Sequence, residues 1–465
     1  MSIVFYVEEV KRLKEIIYLI KILKTKYKIY CIVPDNIYLT NLKQYDIFKE
    51  DLENIILIEE NKSYSLKLIK TINNTKSNST KLFNFLMQSK DNSIGQLFYY
   101  YLLKLNLSFV YKQLKAQFKQ IKPSLVIGVN DRSYSYIEHA IYKVAQENNI
   151  HIFLPFVFFA NPQVSLIKTK NIKKYNLNTR SSLFDKYIFN KFKDISINNQ
   201  FFYTAYMTKA FYDFGTLPKY PWLVGGGIST SFALPNKLLF ELFYKDTTID
   251  QKKINILGDL SYIPLYQSYH NRQKTKTKIF KKYNLQKQQI VIISLQDLYE
   301  HQFVSKEKHT NINETIIQSC LTLKNYNILI SIPPNMQKQN YTYLEDKYNI
   351  TILDERLMEI LPIANLYIGM YSTTIYWSVL CGIKTILLDT IIKEKYDKNL
   401  FLSLKSIQYI TDTKELQTII SKLETWDIKQ FIEYDYDLLS RDKVFNNNIA
   451  ANYLDYIEKV INGKD

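Results

Sequence analysis

Short apolar runs alternate with longer amphipathic stretches along this chain, an alternation typical of parallel α/β architecture. The run 124–129 is continuously apolar, as expected of a parallel strand that is buried on both faces. The strands predicted in the first half are Ser2–Val7, Tyr27–Val33, Asn54–Ile58, Ser124–Val129 and His151–Phe156. The helices predicted among them are Glu8–Lys24, Ile94–Ile121 and Tyr134–Asn148.

The second half of the chain repeats this pattern. Its predicted strands are Ile290–Ser294, Tyr326–Ile332, Ile350–Leu353, Leu366–Gly369 and Thr385–Leu388. Its predicted helices are Asn313–Leu323, Leu357–Pro362 and Thr374–Cys381. Because 465 residues are too many for one ordinary domain, we expect two doubly wound α/β domains, at 1–250 and 251–425. A helical segment at 426–465 follows them and could cross back to the first domain.

Composition excludes several classes of protein. Hydrophobic residues make up 46% of the chain, enough for packed cores, so a disordered chain is excluded. Cys31, Cys320 and Cys381 lie far apart in apolar contexts, which predicts buried thiols in a reducing compartment rather than disulfides or a zinc site. The sequence shows no signal-peptide pattern and no run of the ~18–20 apolar residues needed to span a bilayer. We therefore expect a cytoplasmic protein.

The charge balance bears on possible partners. Lys+Arg 61 against Asp+Glu 44 gives a net charge of +17. The basic residues are interspersed with acids, and Lys dominates, which argues against a nucleic-acid partner. An anionic membrane surface is a candidate partner, with Tyr and Phe near Tyr99–Lys119 settling at the headgroup level on the inner face of the inner membrane. The alternative is that AT-rich coding bias spread the lysines evenly over the chain, in which case no surface of the protein is specialised for binding a membrane.

Two segments of the first half carry candidate chemistry. Asp131 follows a buried strand, where its carboxylate could act as a general base toward an acceptor hydroxyl; the alternative is that it caps the next helix. Gly225, Gly226 and Gly227 are three of only ten glycines in the chain. Consecutive glycines permit positive φ and a close approach of backbone amides to a phosphate or sugar, or they simply form a tight turn.

Three segments of the second half follow predicted strands. Gln296, Glu300 and His301 could supply donors and acceptors for a nucleobase, ribose or sugar, the alternative being a solvated loop. Pro334 stands in a rigid segment that is weak evidence on its own. The third segment carries three consecutive hydroxyls at the start of a predicted helix, a natural phosphate site or a simple N-cap: Ser372, Thr373 and Thr374.

In order and spacing, these segments resemble the GT-B sugar-nucleotide superfamily, which comprises bacterial capsule and surface-glycan glycosyltransferases and the UDP-N-acetylglucosamine 2-epimerase fold. Lys122–Asp131 resembles the strand-and-acid segment of the first domain, Ile254–Asp259 the strand and glycine that open the hinge, and Leu366–Asp389 the donor-phosphate segment. The resemblance implies an α/β GT-B fold, with two Rossmann-like domains that face each other across a cleft.

The sequence departs from parts of the superfamily. The epimerases carry an acidic pair after the donor loop, whereas Thr374–Ser378 contains no acid, and Pro155–Phe158 stands where they carry a Glu. Sialyltransferases and Kdo transferases bind a CMP-sugar through a His-Pro segment and a serine motif. Here Pro333-Pro334 falls at the first of these, and Ser372–Thr374 resembles the second. These departures favour a glycosyltransferase over an epimerase.

The resemblance therefore implies a metal-independent glycosyltransferase with no obligatory cofactor. The donor would be a CMP-nonulosonate, CMP-Kdo or UDP-sugar, and the acceptor a bacterial surface glycan or lipid-linked glycan. Asp131 would be the base, with Glu300 and His301 next in line, and Gly225–Gly227 would shape the acceptor floor. The donor would be bound by Gln296, Pro334, Ser372, Thr373 and Thr374. An epimerase or hydrolase acting on UDP-N-acetylglucosamine and a basic nucleic-acid-binding protein remain as alternatives.

Overall fold

The computed structural model describes residues 1–6, 10–33, 55–57, 92–157, 161–170, 172–179, 182–300, 303–333, 336–370, 372–390, 401–440 and 445–463. The chain divides into two compact units. The first comprises Met1–Leu234, Asp246–Leu260 and Ala450–Asp465, and the second Pro235–Lys245 and Ser261–Ile449. Each unit contains a parallel sheet with helices, so the predicted α/β class with two Rossmann-like domains is confirmed. The predicted boundary at residue 250 falls within Asp246–Leu260, a segment of the first unit.

The sheet of the first unit has seven strands among the described residues. They are β1 Ser2–Tyr6, β2 Lys28–Val33, β3 Ile55–Leu57, β4 Leu125–Ile127, β5 His151–Leu154, β6 Ser231–Leu234 and β7 Ile254–Ile256. Their order is β3-β2-β1-β4-β5-β6-β7, and every described pair is parallel. The order reverses between β1 and β4, and ligands of such sheets bind at this switch point, beyond the carboxyl ends of the strands. Asp131 follows β4 and therefore lies beside the switch point.

Helices of the first unit pack on its sheet and on one another. They are Val10–Lys24, Ser93–Ile121, Tyr136–Glu147, Pro162–Thr169, Leu183–Lys191, Ala205–Phe214 and the terminal helix Ile449–Ile461. The long helix Ser93–Ile121 matches its prediction because both ends carry local signals. The Asn92 side chain accepts a hydrogen bond from the Gly95 amide at its start, and Lys122 ends it at φ 48°, just before Pro123.

The terminal helix is held in the first unit by a buried tyrosine. The Tyr453 hydroxyl donates to the carbonyl oxygen of Gly258 at 3.0 Å and accepts from the Phe156 amide at 3.1 Å. Tyr453 is fully buried, and its ring lies 6.1 Å from that of Phe153. One side chain thus connects the last helix to β5 and to the segment after β7.

The sheet of the second unit has six parallel strands in the part of the chain that is described. They are β8 Gln289–Ser294, β9 Tyr326–Ser331, β10 Thr351–Ile352, β11 Leu366–Gly369, β12 Lys384–Leu388 and β13 Ile407–Ile410. Their order, β10-β9-β8-β11-β12-β13, again reverses after the first strand, here between β8 and β11. Numbered within the unit, this is the 3-2-1-4-5-6 order of the Rossmann fold.

Helices of the second unit connect these strands. They are Lys237–Leu239, continued by the π-helix Phe240–Tyr244, then Tyr262–His270, Arg272–Lys282, Lys306–Cys320, Tyr343–Tyr348, Leu357–Ile360, Thr374–Leu380, Thr413–Ser421 and Lys429–Leu439. The helix predicted at Asn313–Leu323 begins seven residues earlier, at Lys306. It does so because the Ser305 hydroxyl caps it, accepting a hydrogen bond from the Lys308 amide at 3.2 Å.

The three cysteines are free and buried, as predicted. Burial raises the pKa of the Cys31 thiol to about 12, so Cys31 stays protonated and serves as an apolar core residue. Among the described helices, none combines the length and the apolar character required to cross a bilayer.

Candidate functional site

Most of the predicted donor-binding residues follow the two strands at the switch point of the second sheet. Strands β8 and β11 pair in parallel, with Ile293 opposite Ile368, so the segments that leave their carboxyl ends begin side by side. The first segment, 295–300, carries Gln296 and Glu300, and the second, 370–374, carries the hydroxyls of Ser372, Thr373 and Thr374. We call this region the switch edge. The remaining candidates, His301 and Pro334, lie outside the described residues.

A buried tyrosine connects the last residue of β8 to the segment that follows β11. The Tyr367 hydroxyl lies 2.6 Å from Thr374 Oγ1 and also hydrogen-bonds the side chain of Ser294. Burial raises the pKa of Tyr367 to about 12, so it remains a neutral hydroxyl. Tyr367 could not be singled out from the sequence, because a tyrosine in an apolar strand is indistinguishable from an ordinary core residue.

The hydroxyls after β11 differ in how far the protein uses them. Thr374 Oγ1 lies 3.1 Å from Ser372 Oγ, and the Thr374 amide donates to the same oxygen at 3.3 Å. Thr373, by contrast, is the N-cap residue of the helix Thr374–Leu380, yet its side chain caps no backbone amide. Thr373 therefore does not form the N-cap that was the alternative to a phosphate site, although Ser372 Oγ accepts from the first amide of the helix. Two hydroxyls form a local network, and the third is free of a capping role.

A second polar cluster lies on the β8 side of the switch edge. The Tyr341 hydroxyl donates to Glu300 Oε1 at 2.6 Å, while Glu300 Oε2 is buried and has no hydrogen-bond partner in the described parts of the chain. His309 Nε2 donates to the Gln296 carbonyl at 2.8 Å, which assigns the proton to Nε2 because a carbonyl only accepts. Burial lowers the pKa of His309, so the ring is neutral near pH 7.

In the first unit, two predicted candidates are bonded directly to each other. The Asp131 carboxylate accepts hydrogen bonds from the Gly225 amide at 2.9 Å, the Gly227 amide at 2.9 Å and the Ser229 hydroxyl at 2.6 Å. Asp131 is only 2% exposed. The Gly226 amide donates to the Leu223 carbonyl at 3.2 Å. All three glycine amides are therefore used within the protein, contrary to the expectation that they face a ligand. The role of Asp131 as a general base stays a prediction.

Close packing explains the glycines in this turn. Gly225 has φ +88°, a conformation that side chains with a Cβ rarely adopt. A Cβ on Gly226 would lie 1.9 Å from the backbone oxygen of Tyr220, closer than atoms can approach. The tight-turn interpretation of the sequence is therefore the one that these contacts support.

Two buried residues near Asp131 were missed from the sequence. Arg132 Nη1 donates to the Trp222 carbonyl at 2.7 Å, and its guanidinium lies 5.0 Å from the centre of the Phe202 ring. His139 Nε2 donates to the Ser133 carbonyl at 3.0 Å, so Nδ1 accepts from the Thr216 hydroxyl at 2.9 Å. The charged Arg132 directly after a buried strand was a usable signal. The partners of His139 and Arg132 are up to 90 residues away, which no local pattern reveals.

Burial makes His139 a neutral structural group. It lowers the pKa of the His139 imidazole to about 4, against a usual value of 6.5. The ring also stacks on Phe211, with centroids 3.7 Å apart. Arg132 and His139 thus fix the segment that carries Asp131. Within the described residues, we find no group of three or more His, Cys, Asp or Glu side chains that could hold a metal ion.

Comparison with known proteins identifies the fold. No protein-family model and no curated protein matches the sequence. Among solved structures, the chain is similar to UDP-GlcNAc 2-epimerase from Neisseria meningitidis bound to UDP-GlcNAc, with TM-score 0.54, 10% identity, and 99% of this chain and 100% of that chain covered. It is also similar to UDP-GlcNAc 2-epimerase from Methanocaldococcus jannaschii, with TM-score 0.51, 12% identity, and 98% of this chain and 99% of that chain covered. A third similar structure is the wall teichoic acid polymerase TagF soaked with CDPG, with TM-score 0.50, 13% identity, and 100% of this chain and 89% of that chain covered.

Sequence identities this low establish the fold alone. The chain therefore has the two-domain GT-B fold that the resemblance implied.

Proposed function

We propose that this chain is a glycosyltransferase that transfers a sugar from a CMP- or UDP-linked donor to a bacterial surface glycan or lipid-linked glycan. The observation that carries the proposal is the switch edge, where the segments that carry hydroxyl groups after β11 and the half-buried carboxylate of Glu300 after β8 leave adjacent strands. The carboxyl edge at the strand reversal is where Rossmann sheets bind nucleotides. Both the TagF polymerase and the epimerases share this fold, which supports a sugar-nucleotide substrate.

The donor would be bound by groups of complementary chemistry. Thr373, whose side chain has no capping role, would donate to a phosphate oxygen together with Ser372 and Thr374. Glu300 Oε2 would accept a hydrogen bond from a ribose hydroxyl, which satisfies a buried oxygen that has no partner in the described part of the chain. The Gln296 side chain would bind the base. Hydrogen bonds to the departing phosphate would stabilise the charge that develops as the bond to the sugar breaks.

In the transfer step, the acceptor oxygen forms a bond to the anomeric carbon as the bond from that carbon to the nucleotide phosphate breaks. The electron pair leaves with the nucleotide, and the acceptor proton passes to a base. Asp131 is the base that the sequence predicts. To act, it must exchange one of its hydrogen bonds with Gly225, Gly227 or Ser229 for the acceptor hydroxyl. Glu300 Oε2 has no hydrogen-bond partner among the described residues, so Glu300 is the alternative base where the ribose does not occupy that oxygen.

An epimerase or hydrolase is the second candidate, because two of the fold relatives carry epimerase names. The absence of an acid from Thr374–Ser378 argues against it. Incubation of the protein with CMP- and UDP-sugars, with and without a glycan acceptor, separates the two activities. A transferase releases nucleotide and labels the acceptor only when the acceptor is present. Conversion of a donor to another sugar without acceptor would contradict the transferase and establish the alternative.

A further inference from the structure

One face of the helix Ser93–Ile121 exposes large apolar side chains to solvent. Ile94 is 62% exposed, Leu97 43%, Tyr101 54% and Leu105 50%. Their spacing of three, four and four residues places them along one face of the helix. The buried residues Leu107, Val110 and Leu114 of the same helix supply its contact with the core. The helix is therefore apolar on two faces, and its core contacts account for only one of them.

A neighbouring helix extends this surface. Leu183 is 78% exposed and Tyr187 65%, one turn apart on the helix Leu183–Lys191. The starts of the two helices are joined, since Ser93 Oγ lies 3.1 Å from Ser182 Oγ and accepts from the Phe184 amide at 3.2 Å. Ile94 and Leu183 each follow one of these serines. We call the six exposed residues the apolar patch: Ile94, Leu97, Tyr101, Leu105, Leu183 and Tyr187.

Exposed charges within these two helices are positive. None of the 29 residues of Ser93–Ile121 is acidic, and Lys104 is exposed between Tyr101 and Leu105. On the second helix, the acid Asp185 is fully buried, whereas Lys186 and Lys191 are exposed. The nearby Asp213 forms an ion pair with Lys209 at 2.5 Å. Apolar side chains among lysines match a surface that is apolar inside and negatively charged outside.

We infer that the apolar patch docks on an anionic lipid surface, with its Leu, Ile and Tyr side chains at the headgroup level and its lysines beside lipid phosphates. A symmetric contact between two copies would place lysines against lysines, which opposes dimerisation through this face. Aliphatic side chains offer no stacking surface to nucleic-acid bases. This inference goes beyond the proposed function and does not depend on it, because docking requires no reaction.

Flotation with vesicles tests the docking. Wild-type protein should float with vesicles containing phosphatidylglycerol, remain behind with pure phosphatidylcholine, and lose binding as salt rises, because salt screens the lysines. The double variant Leu97→Ser/Leu105→Ser should bind anionic vesicles about tenfold more weakly, since it removes apolar contacts with the lipid. The matched control Leu321→Ser/Leu402→Ser replaces two exposed leucines of the second unit and should bind as the wild type does.

The inference is overturned if wild-type protein does not bind anionic vesicles at low salt. It is also overturned if both double variants bind equally, which would mean that general positive charge suffices. Sedimentation velocity tests whether a second copy of the chain binds the apolar patch instead. If the wild type is a dimer and Leu97→Ser/Leu105→Ser is a monomer, the patch is a dimer interface and the inference is overturned. A second variant, Lys104→Gln/Lys186→Gln, leaves the apolar side chains in place. It should bind anionic vesicles more weakly than the wild type does, and its binding should depend less on salt.

Discussion

Asp131 is a buried carboxylate whose hydrogen bonds hold the glycine turn 225–229 against β4. In Asp131→Asn, the amide nitrogen would face N–H or O–H donors and the charge would be lost. We expect the variant to lower the free energy of unfolding by about 2–3 kcal/mol, measured by urea denaturation. The control Asp250→Asn, an exposed residue that accepts a hydrogen bond from the Lys252 amide, should change it little. Equal stability of the two variants would show that the turn does not depend on Asp131.

His139 predicts a pH dependence of stability. Its folded pKa of about 4 lies below the usual 6.5, so the unfolded chain binds the proton first as pH falls. The stabilising contribution is complete above pH 6.5 and is lost as pH falls toward 4, a change of roughly 3 kcal/mol. His139→Gln should flatten the slope of stability against pH in this range. His309 acts in the same direction, so the difference between variant and wild type is the informative quantity. If the curves of stability against pH for His139→Gln and wild type run parallel, the lowered pKa of His139 is contradicted. The control His270→Gln replaces an exposed histidine and should leave the slope unchanged.

At the scale of one element, the helix Ser93–Ile121 offers an internal comparison. Leu107 is fully buried in a cluster with Tyr203 and Trp222, whereas Leu105, two residues away, is half exposed. Leu107→Ala should lower the free energy of unfolding by about 2–5 kcal/mol through lost burial and a cavity. Leu105→Ala should change it by less than about 0.5 kcal/mol. Similar losses from both variants would mean that the helix packs on a different face.

Elements were predictable where one local signal determined them. Strand β11 was predicted at its observed bounds, Leu366–Gly369, because a buried parallel strand is a continuous apolar run with clear stops. The pattern did not predict β13, Ile407–Ile410, because Gln408 interrupts its short apolar run. The helix Lys306–Cys320 was predicted too short because its first half is polar and only the Ser305 cap marks its start.

Residues of the site were predictable in identity but not in their contacts. Asp131 and Gly225–Gly227 were each singled out from the sequence, yet the hydrogen bonds between them join positions 94 and 96 residues apart. Arg132 and His139 were not singled out for a similar reason, because partners of theirs lie far along the chain, at Trp222 and Thr216. Local patterns report which residue types follow a strand, whereas tertiary packing decides whether those residues meet a ligand or each other.

On the scale of the whole molecule, the described sheets of the two units share the order of their first six strands, and each has a reversal beside its first strand. Duplicated Rossmann topology is what the GT-B resemblance implied. The polar groups at the two reversals differ, however. In the first unit the Asp131 carboxylate is bonded to the protein itself, whereas the second unit has a buried carboxylate oxygen without a partner in the described chain. This difference favours the second unit as the nucleotide-binding one.

Nucleotide binding at the switch edge is tested most directly by a thermal-shift panel of CMP, UDP, GDP and their sugar conjugates. The panel compares wild type, Ser372→Ala/Thr373→Ala and the control Thr418→Ala/Ser421→Ala, whose hydroxyls are exposed on another helix of the second unit. We expect a cytidine or uridine nucleotide to raise the Tm of wild type and control. The first variant should bind it more weakly by about 1.5–3 kcal/mol, because hydrogen bonds to the charged phosphate are lost. Absence of a shift with every nucleotide, or equal shifts in all three proteins, would contradict a donor site at the switch edge.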